Sequence, residues 1–322
     1  MSMSFIVACE SGNRKIAELL LASEDADVKY TDERGRTALH YAVHRGYLDI
    51  VKALIDDGVD GLIACGSVGE NSALSAGEKR EVVAAIKEAS GGRVPVITGV
   101  AENSTRLAET YARDVERLGA DGLMLMPPMV YSASPREIVA FFKSVAAASD
   151  LPIMIYNNPP AYRNDVTPAM VQELSDIDTI VAIKESSGDT RRFVDLQNLN
   201  GSRFQLFCGL DDVILETGTL GAVGWISGLS NVFPRECHRL FTMVREGRAQ
   251  EAMPLYRWLM PLLHLDARAD LVQCIKLCEQ IMGRGSERTR APRLLLEGAE
   301  RAFVEGLMKT ALATRHQIAE IA

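Results

Sequence analysis

No stretch of about eighteen uninterrupted apolar residues occurs in this sequence, and no cationic-then-apolar leader opens it, so neither a membrane span nor an export signal is expected. Basic runs are absent too. With 35 Lys and Arg against 43 Asp and Glu the formal net charge is −8, which argues against a nucleic-acid surface. The six cysteines, Cys9, Cys65, Cys208, Cys237, Cys274 and Cys278, show no zinc-ligand pairing. Cys65 and Cys208 sit in strand-like runs as small core residues. Cys274 and Cys278, one helical turn apart, read as two buried thiols on one face. No metal is expected, and the usage suits a reduced, cytoplasmic protein.

What is present, 322 residues of which 47% are hydrophobic and 24% charged, suits one large α/β domain or one domain plus an appendage. From residue 60 onward short apolar runs alternate with amphipathic stretches. Candidate strands are Gly61–Cys65, Val94–Val100, Gly122–Met126, Pro152–Tyr156, Thr179–Lys184, Phe204–Gly209 and Ala222–Ser227. Helical stretches such as Ala76–Ser90, Ser104–Leu118, Ser134–Ala148 and Pro168–Leu174 lie between them, and Ser75 with Glu78 and Ser134 with Glu137 are capping boxes. Seven β-α steps with no Gly-rich dinucleotide fingerprint after the first strand favour a (β/α)8 TIM barrel over a doubly wound sheet. Residues at strand C-termini then face the active site: Cys65-Gly66-Ser67, Tyr156, Lys184, Gly209 and Gly228. After about Pro234 the chain reads as a C-terminal helical appendage interrupted by Pro254, Pro261 and the Gly283–Pro292 turn.

The opening segment has its own period. Ala8, Gly12, Ile16 and Leu20 recur 34 positions later as Ala42, Gly46, Ile50 and Leu54, with Thr37-Ala38-Leu39-His40 between. That period resembles ankyrin repeats, whose Thr-Pro-Leu-His opening the tetrad matches at three positions. His40 and His44 share a helix face; the tetrad histidine reads as a structural hydrogen-bonder rather than a metal ligand. Two repeats are too few to stand alone, so the segment is expected either to lean on the domain C-terminal to it or to be disordered. The helix from Leu48 to Asp57 runs into Gly58-Val59-Asp60-Gly61 with no linker and belongs equally well to both architectures. The expected division is an ankyrin-like helical segment over 1–57, a barrel over 58–233 and a helical region over 234–322.

The candidate chemistry centres on residues 179 to 189, Thr-Ile-Val-Ala-Ile-Lys-Glu-Ser-Ser-Gly-Asp. The β-branched run ends at Lys184, an odd place for an ammonium. Either the side chain snorkels to solvent, or burial lowers its pKa and yields the free amine that attacks a carbonyl or imine carbon. Two further elements share the barrel mouth. In Gly66-Ser67-Val68-Gly69-Glu70 the glycines let backbone N–H groups converge as a nest for a carboxylate. Tyr156-Asn157-Asn158-Pro159 closes a strand with a phenol.

These three elements, in this order and spacing, resemble the dihydrodipicolinate synthase / N-acetylneuraminate lyase family, from about Leu48 to Arg315. The resemblance implies a Schiff base between Lys184 and a small 2-oxo or 2-imino acid. It implies proton transfer by Tyr156, and a substrate carboxylate held by Ser67 and by Gly66, Val68, Gly69 and Glu70. Asn158, Gly209 and Gly228 complete the implied binding set. It also implies no metal or organic cofactor, and a homotetramer. Departures narrow the choice. Val68 removes a hydroxyl from the loop, Ala161 replaces an arginine that grips a second carboxylate, and Tyr131 is offset by one residue from the tyrosine that members contribute across their subunit interface. The run Tyr-Asn-Asn-Pro-Pro-Ala-Tyr at 156–162, Gly-Leu-Asp-Asp at 209–212 and Met-Pro-Leu-Leu-His-Leu-Asp at 260–266 resemble the branch that deaminates Δ1-pyrroline-4-hydroxy-2-carboxylate. The family's first strand is displaced by ankyrin-like sequence, which predicts a ring of seven with two unpaired edges. Ser4–Cys9 is apolar enough to fill the gap, yet the first ankyrin helix is the favoured reading, because Ala8 and Gly12 keep the repeat's spacing. The alternative to an enzyme is a scaffold in which the ankyrin-like segment binds a protein partner and the barrel is inert.

Overall fold

The computed structural model describes residues 49–128, 131–319 and 321. The ankyrin tetrad, His40, His44, Cys9 and the Ser4–Cys9 segment lie outside these residues. Helix α1 (49–56) leads into strand β1 (Leu62–Ala64). There follow α2 (Ala76–Ser90), β2 (Val96–Val100), α3 (Thr105–Arg117), β3 (Gly122–Leu125), α4 (Pro135–Ala146) and β4 (Ile153–Asn157). The short helices α5 (Pro159–Tyr162) and α6 (Pro168–Glu173) precede β5 (Ile180–Glu185), α7 (Arg191–Asn200), β6 (Gln205–Cys208), α8 (Ile214–Thr219) and β7 (Gly224–Trp225). Four helices end the chain: α9 (Pro234–Arg245), α10 (Ala249–Leu263), α11 (Leu271–Ile281) and α12 (Gly298–Thr314).

All seven strands are parallel and pair in chain order, β1 to β7, as right-handed β-α crossovers require of a TIM barrel. Ser75 and Ser134 form the two capping boxes: each side chain accepts the N3 backbone N–H, and Glu78 and Glu137 accept in return. Strand alternation sorts the side chains. Met124, Met154 and Ala182 are register partners that pack together inside the curve, and Tyr156 and Lys184, two residues further along β4 and β5, share their face. The alternate set, including Leu123, Ile153, Ile155 and Ile183, packs outward against the helices.

Three expectations need correction. Lys184 is not the terminal residue of its strand: Asn157 pairs with Glu185 and accepts the Ser186 N–H at 2.8 Å, carrying β5 one residue further. Pro254 and Pro261 do not interrupt the helical region but lie inside α10, whose buried face of Leu255, Leu259, Leu262 and Leu263 anchors it to the core. The C-terminal helices are also no outlying appendage, since Leu240, Leu259, Ile275 and Met308 join the same core as the barrel helices. Among the described residues β1 pairs only with β2 and β7 only with β6. Across that seam, Asp57 accepts from Arg235 of α9 at 2.8 Å and from Arg284, just beyond α11, at 2.5 Å.

Candidate active site

Lys184 Nζ lies 4.1 Å from the centroid of the Tyr156 ring, because the two residues are register partners on neighbouring strands. Lys184 is 8% exposed and makes no hydrogen bond or ion pair among the described residues. Burial lowers its pKa, and Asp266, Tyr162, Asp211 and Cys208 oppose that shift. The room for the lysine stem comes from Gly209. A Cβ there would overlap Ser186 Oγ and meet Lys184 Cγ and Cε at 2.6 and 2.7 Å.

Asn158 has two tasks. Its Oδ1 caps α5 by accepting the Ala161 N–H at 3.1 Å, and its Nδ2 donates to the Tyr156 hydroxyl at 3.0 Å. Burial raises the Tyr156 pKa, so the phenol stays protonated and is suited to donate. The cap also presents Tyr162, whose hydroxyl shares a hydrogen bond with Ser67 Oγ and whose ring meets Tyr156 edge to face at 5.8 Å. Behind the strands, Asn157 Nδ2 donates to Glu185 Oε2 at 3.0 Å, and Glu185 Oε1 accepts the Ser187 N–H at 2.6 Å. This pins the ends of β4 and β5 to each other.

The Gly66–Glu70 loop is bracketed by left-handed residues, Cys65 at φ 52 and Glu70 at φ 54. Asn71 Nδ2 fastens it to the Cys65 carbonyl at 2.9 Å and to the Gly99 carbonyl at 3.0 Å. At Gly69 a Cβ would lie 3.1 Å from the Gly66 nitrogen, so the turn accepts little else. Among the described residues the N–H groups of Ser67, Val68 and Gly69 find no protein acceptor, which leaves them for an anion. The Glu70 carboxylate is already engaged, by Lys276 Nζ at 2.8 Å and the Arg290 N–H at 2.8 Å. Its part is to hold the C-terminal segment over the loop.

The geometry adds residues to which the amino-acid sequence alone gave no role. Asp211 is fully buried. Its Oδ1 accepts from Trp225 Nε1 at 3.0 Å, and its Oδ2 from Ser227 Oγ at 2.9 Å and the Leu229 N–H at 3.0 Å. Asp266 abuts Gly228, where a Cβ would fall 2.8 Å from its Oδ1. Arg293 is half-buried, makes no ion pair among the described residues, and acts electrostatically on Tyr162. An acidic residue two positions past Gly209, the glycine that follows β6, could have flagged Asp211. Tyr162 and Asp266 close the 156–162 and 260–266 runs, but nothing local flags Arg293, which reaches the site only through the fold.

A buried amine, two phenols and an open row of backbone N–H groups can capture a 2-oxo acid and move protons on the resulting imine. The profile of the dihydrodipicolinate synthetase family matches residues 43–311. The chain belongs to that family. The profile for ankyrin repeats (3 copies) matches residues 3–64, so the N-terminus carries ankyrin repeats and the two matches overlap across α1 and β1. Relatives of this dihydrodipicolinate synthetase family member include the 4-hydroxy-tetrahydrodipicolinate synthase of Pelobacter propionicus. That protein is 33% identical over 256 residues, 80% of this chain and 88% of the relative. Among solved structures, dihydrodipicolinate synthase from Aquifex aeolicus superimposes with a TM-score of 0.80 at 26% identity, covering 83% of this chain and 92% of that one. A prophage protein of the dihydrodipicolinic acid synthase family from E. coli K12, in complex with pyruvate, gives 0.79 at 26% identity over 88% of this chain and 95% of that one. The chain is thus an aldolase/lyase of that family, and its fold is similar to the TIM barrels of those structures. No helix among the described residues is long and apolar enough to cross a membrane.

Proposed function

We propose that the protein is a Schiff-base lyase and deaminase acting on a small 2-oxo or 2-imino acid, with Δ1-pyrroline-4-hydroxy-2-carboxylate as substrate and 2-oxoglutarate semialdehyde and ammonia as products. The observation that carries this reading is the buried Lys184 amine 4.1 Å from the Tyr156 ring centroid, with no counter-ion in hydrogen-bond contact among the described residues. Ser67 and the N–H groups of the 66–69 loop hold the substrate carboxylate. Lys184 adds to C2 of the cyclic imine, and the ring nitrogen leaves that carbon as an amine. Loss of a C3 proton turns the Lys184 iminium into an enamine. The enamine expels the 4-hydroxyl as water with a proton from Tyr156, the C3 proton taking its place on the phenol. Proton shifts from C5 to C3 and from the amine to C4 give an imine at C5. Hydrolysis at C5 then frees ammonia and hydrolysis at C2 frees the lysine, for a net consumption of one water. Ala161, in the place of an arginine that grips a second carboxylate, fits a substrate with a single acid group. The enzyme is read as cytoplasmic and tetrameric, with the ankyrin segment as a docking element for a protein partner.

A synthase-like reaction on a substrate with two acid groups is the second reading. It is favoured by the unpaired Arg293 beside Tyr162 and by the names of the relatives. Borohydride trapping tests the shared step: a mass adduct with pyruvate or the pyrroline acid, confined to Lys184 and lost in Lys184→Ala, is expected. No adduct with any 2-oxo acid leaves only the inert scaffold. Ammonia release coupled to a semialdehyde dehydrogenase then separates the two enzymatic readings.

A further inference from the structure

Glu70 stands at φ 54 and ψ 36, a left-handed backbone that a residue with a Cβ keeps only where its surroundings impose it. Inside the turn the bonds are ordinary: the Glu70 N–H donates to the Ser67 carbonyl at 3.1 Å and the Asn71 N–H to the Gly66 carbonyl at 3.3 Å. The side chain, 7% exposed, is held from the other end of the chain. Lys276 Nζ of α11 donates to its Oε2 at 2.8 Å and the Arg290 N–H to its Oε1 at 2.8 Å. The Arg290 guanidinium reaches Glu78 Oε1, in the capping box of α2, at 2.7 Å. Residues 282–297, which join α11 to α12 without helix or strand, thus clamp both the loop and the helix that follows it. Both Glu70 oxygens are engaged, and a carboxylate would repel the acid group to which the loop's N–H groups are open. Its effect on a substrate is therefore indirect.

We propose that Glu70 is a positioning residue through which residues 282–297 set the loop's grip on a substrate carboxylate, and that the bound acid tightens that segment in return. This deepens the Schiff-base reading and rests on its placement of the carboxylate at Ser67 and the 66–69 N–H groups. Asn71 ties the turn to β2, and the two charge-assisted bonds to Glu70 tie it to the C-terminal segment. Losing the second tie lets the strained Glu70 backbone relax, and the N–H groups of Ser67, Val68 and Gly69 shift with it. Linkage makes the effect reciprocal: whatever factor the segment adds to the affinity for the acid, the acid adds to the segment's hold on the loop. Lys184 and Tyr156 sit on β5 and β4 and take no part in these contacts, so the chemical step is spared.

The test reads two quantities. The first is the rate at which pyruvate is fixed on Lys184 in sodium cyanoborohydride, followed by intact mass against pyruvate concentration. Lys276→Met, which keeps most of the side-chain stem, should raise the half-saturating concentration roughly tenfold. The rate at saturation should stay within about twofold of wild type, and Lys276→Arg should restore the wild-type curve. Glu70→Gln, which still offers an acceptor to the Arg290 N–H, should show the same split. The second quantity is trypsin cleavage after the exposed Arg288 and Arg290, mapped by mass. Saturating pyruvate should slow it roughly tenfold in the wild type and far less in Lys276→Met. If affinity is lost in Glu70→Gln but kept in Lys276→Met, Glu70 meets the substrate itself and the proposal is overturned. A lower saturated rate at unchanged half-saturation overturns it too, as does equal protection from trypsin in the wild type and Lys276→Met. Should Glu70→Gln not fold, the Lys276 pair decides alone. Fixation in the wild type with half-saturation unmoved in Lys276→Met sinks this inference alone, whereas no fixation in the wild type sinks the Schiff-base reading and this one with it.

Discussion

At Gly209 the absence of a side chain sets where the lysine points. A methyl group there would overlap Ser186 Oγ and crowd the Lys184 stem at 2.6 to 2.7 Å, and both belong to buried residues that cannot swing into solvent. Gly209→Ala is therefore expected to fold and yet to lose adduct formation by about 100-fold, because a displacement near 1 Å at a reacting atom has that order of effect. Trapping by mass alongside a thermal melt checks it; a variant that traps at the wild-type rate refutes the steric account. The same site has a division of labour among its carboxylates. Asp211 is saturated with donors and Glu185 is tied to Asn157 and Ser187, so both carboxylates have structural tasks.

At the scale of elements, the loop after β1 works because it is held open from beneath. Left-handed backbone at Cys65 and Glu70 brackets the turn, the N–H groups of Ser67, Val68 and Gly69 have no protein acceptor among the described residues, and the Asn71 amide clamps the loop to β2. Asn71→Ala leaves two buried carbonyls without that donor and should cost about 1–3 kcal/mol of stability. Because the nest loosens with it, pyruvate affinity in the trapping assay should fall as well, while the chemical rate at saturating pyruvate changes little. A loss of stability with unchanged affinity would show that the loop does not bind the carboxylate. Helix α5 has a comparable positioning task. Only four residues long, it is capped by Asn158, and the cap orients Tyr156 while the helix presents Tyr162 to Ser67.

Over the whole molecule the notable feature is the seam between β1 and β7, bridged by ion pairs from the C-terminal helices. Burial pushes the Asp57 pKa up, but hydrogen bonds and charge from Arg284 and Arg235 outweigh that and hold it below the usual carboxylate value. A folded-state pKa below the unfolded one means the contribution is present above the unfolded value and is lost as pH falls through the folded value. Asp57→Asn should lower stability by about 1–3 kcal/mol at neutral pH. The gap from wild type should narrow in acid, below pH about 4. Melts of both proteins across that range test it, and a pH-independent gap would assign Asp57 a neutral hydrogen-bonding role. The C-terminal region has a second hold on the site: Lys276 and the Arg290 N–H grip Glu70 and so bind α11 and the turn after it to the carboxylate loop.

The β-α rhythm, the two capping boxes and the order of the loop, Tyr-Asn-Asn-Pro and Lys-Glu-Ser-Ser elements were legible in the amino acids alone. Periodicity, caps and glycine turns act over a few residues, so their signals are written locally. Strand alternation then put Tyr156 and Lys184 on one face as soon as the register was known. Partners far apart in sequence were not legible. Asp266 closes the 260–266 run, but that run does not say where it packs, and Arg293, from a turn near the C-terminus, has no local pattern to announce it. Which prolines a helix tolerates, and which carboxylate keeps a free oxygen, depended on burial and on competing donors. Those are properties of the packed chain, because only packing decides which charges lose their water and which find a partner.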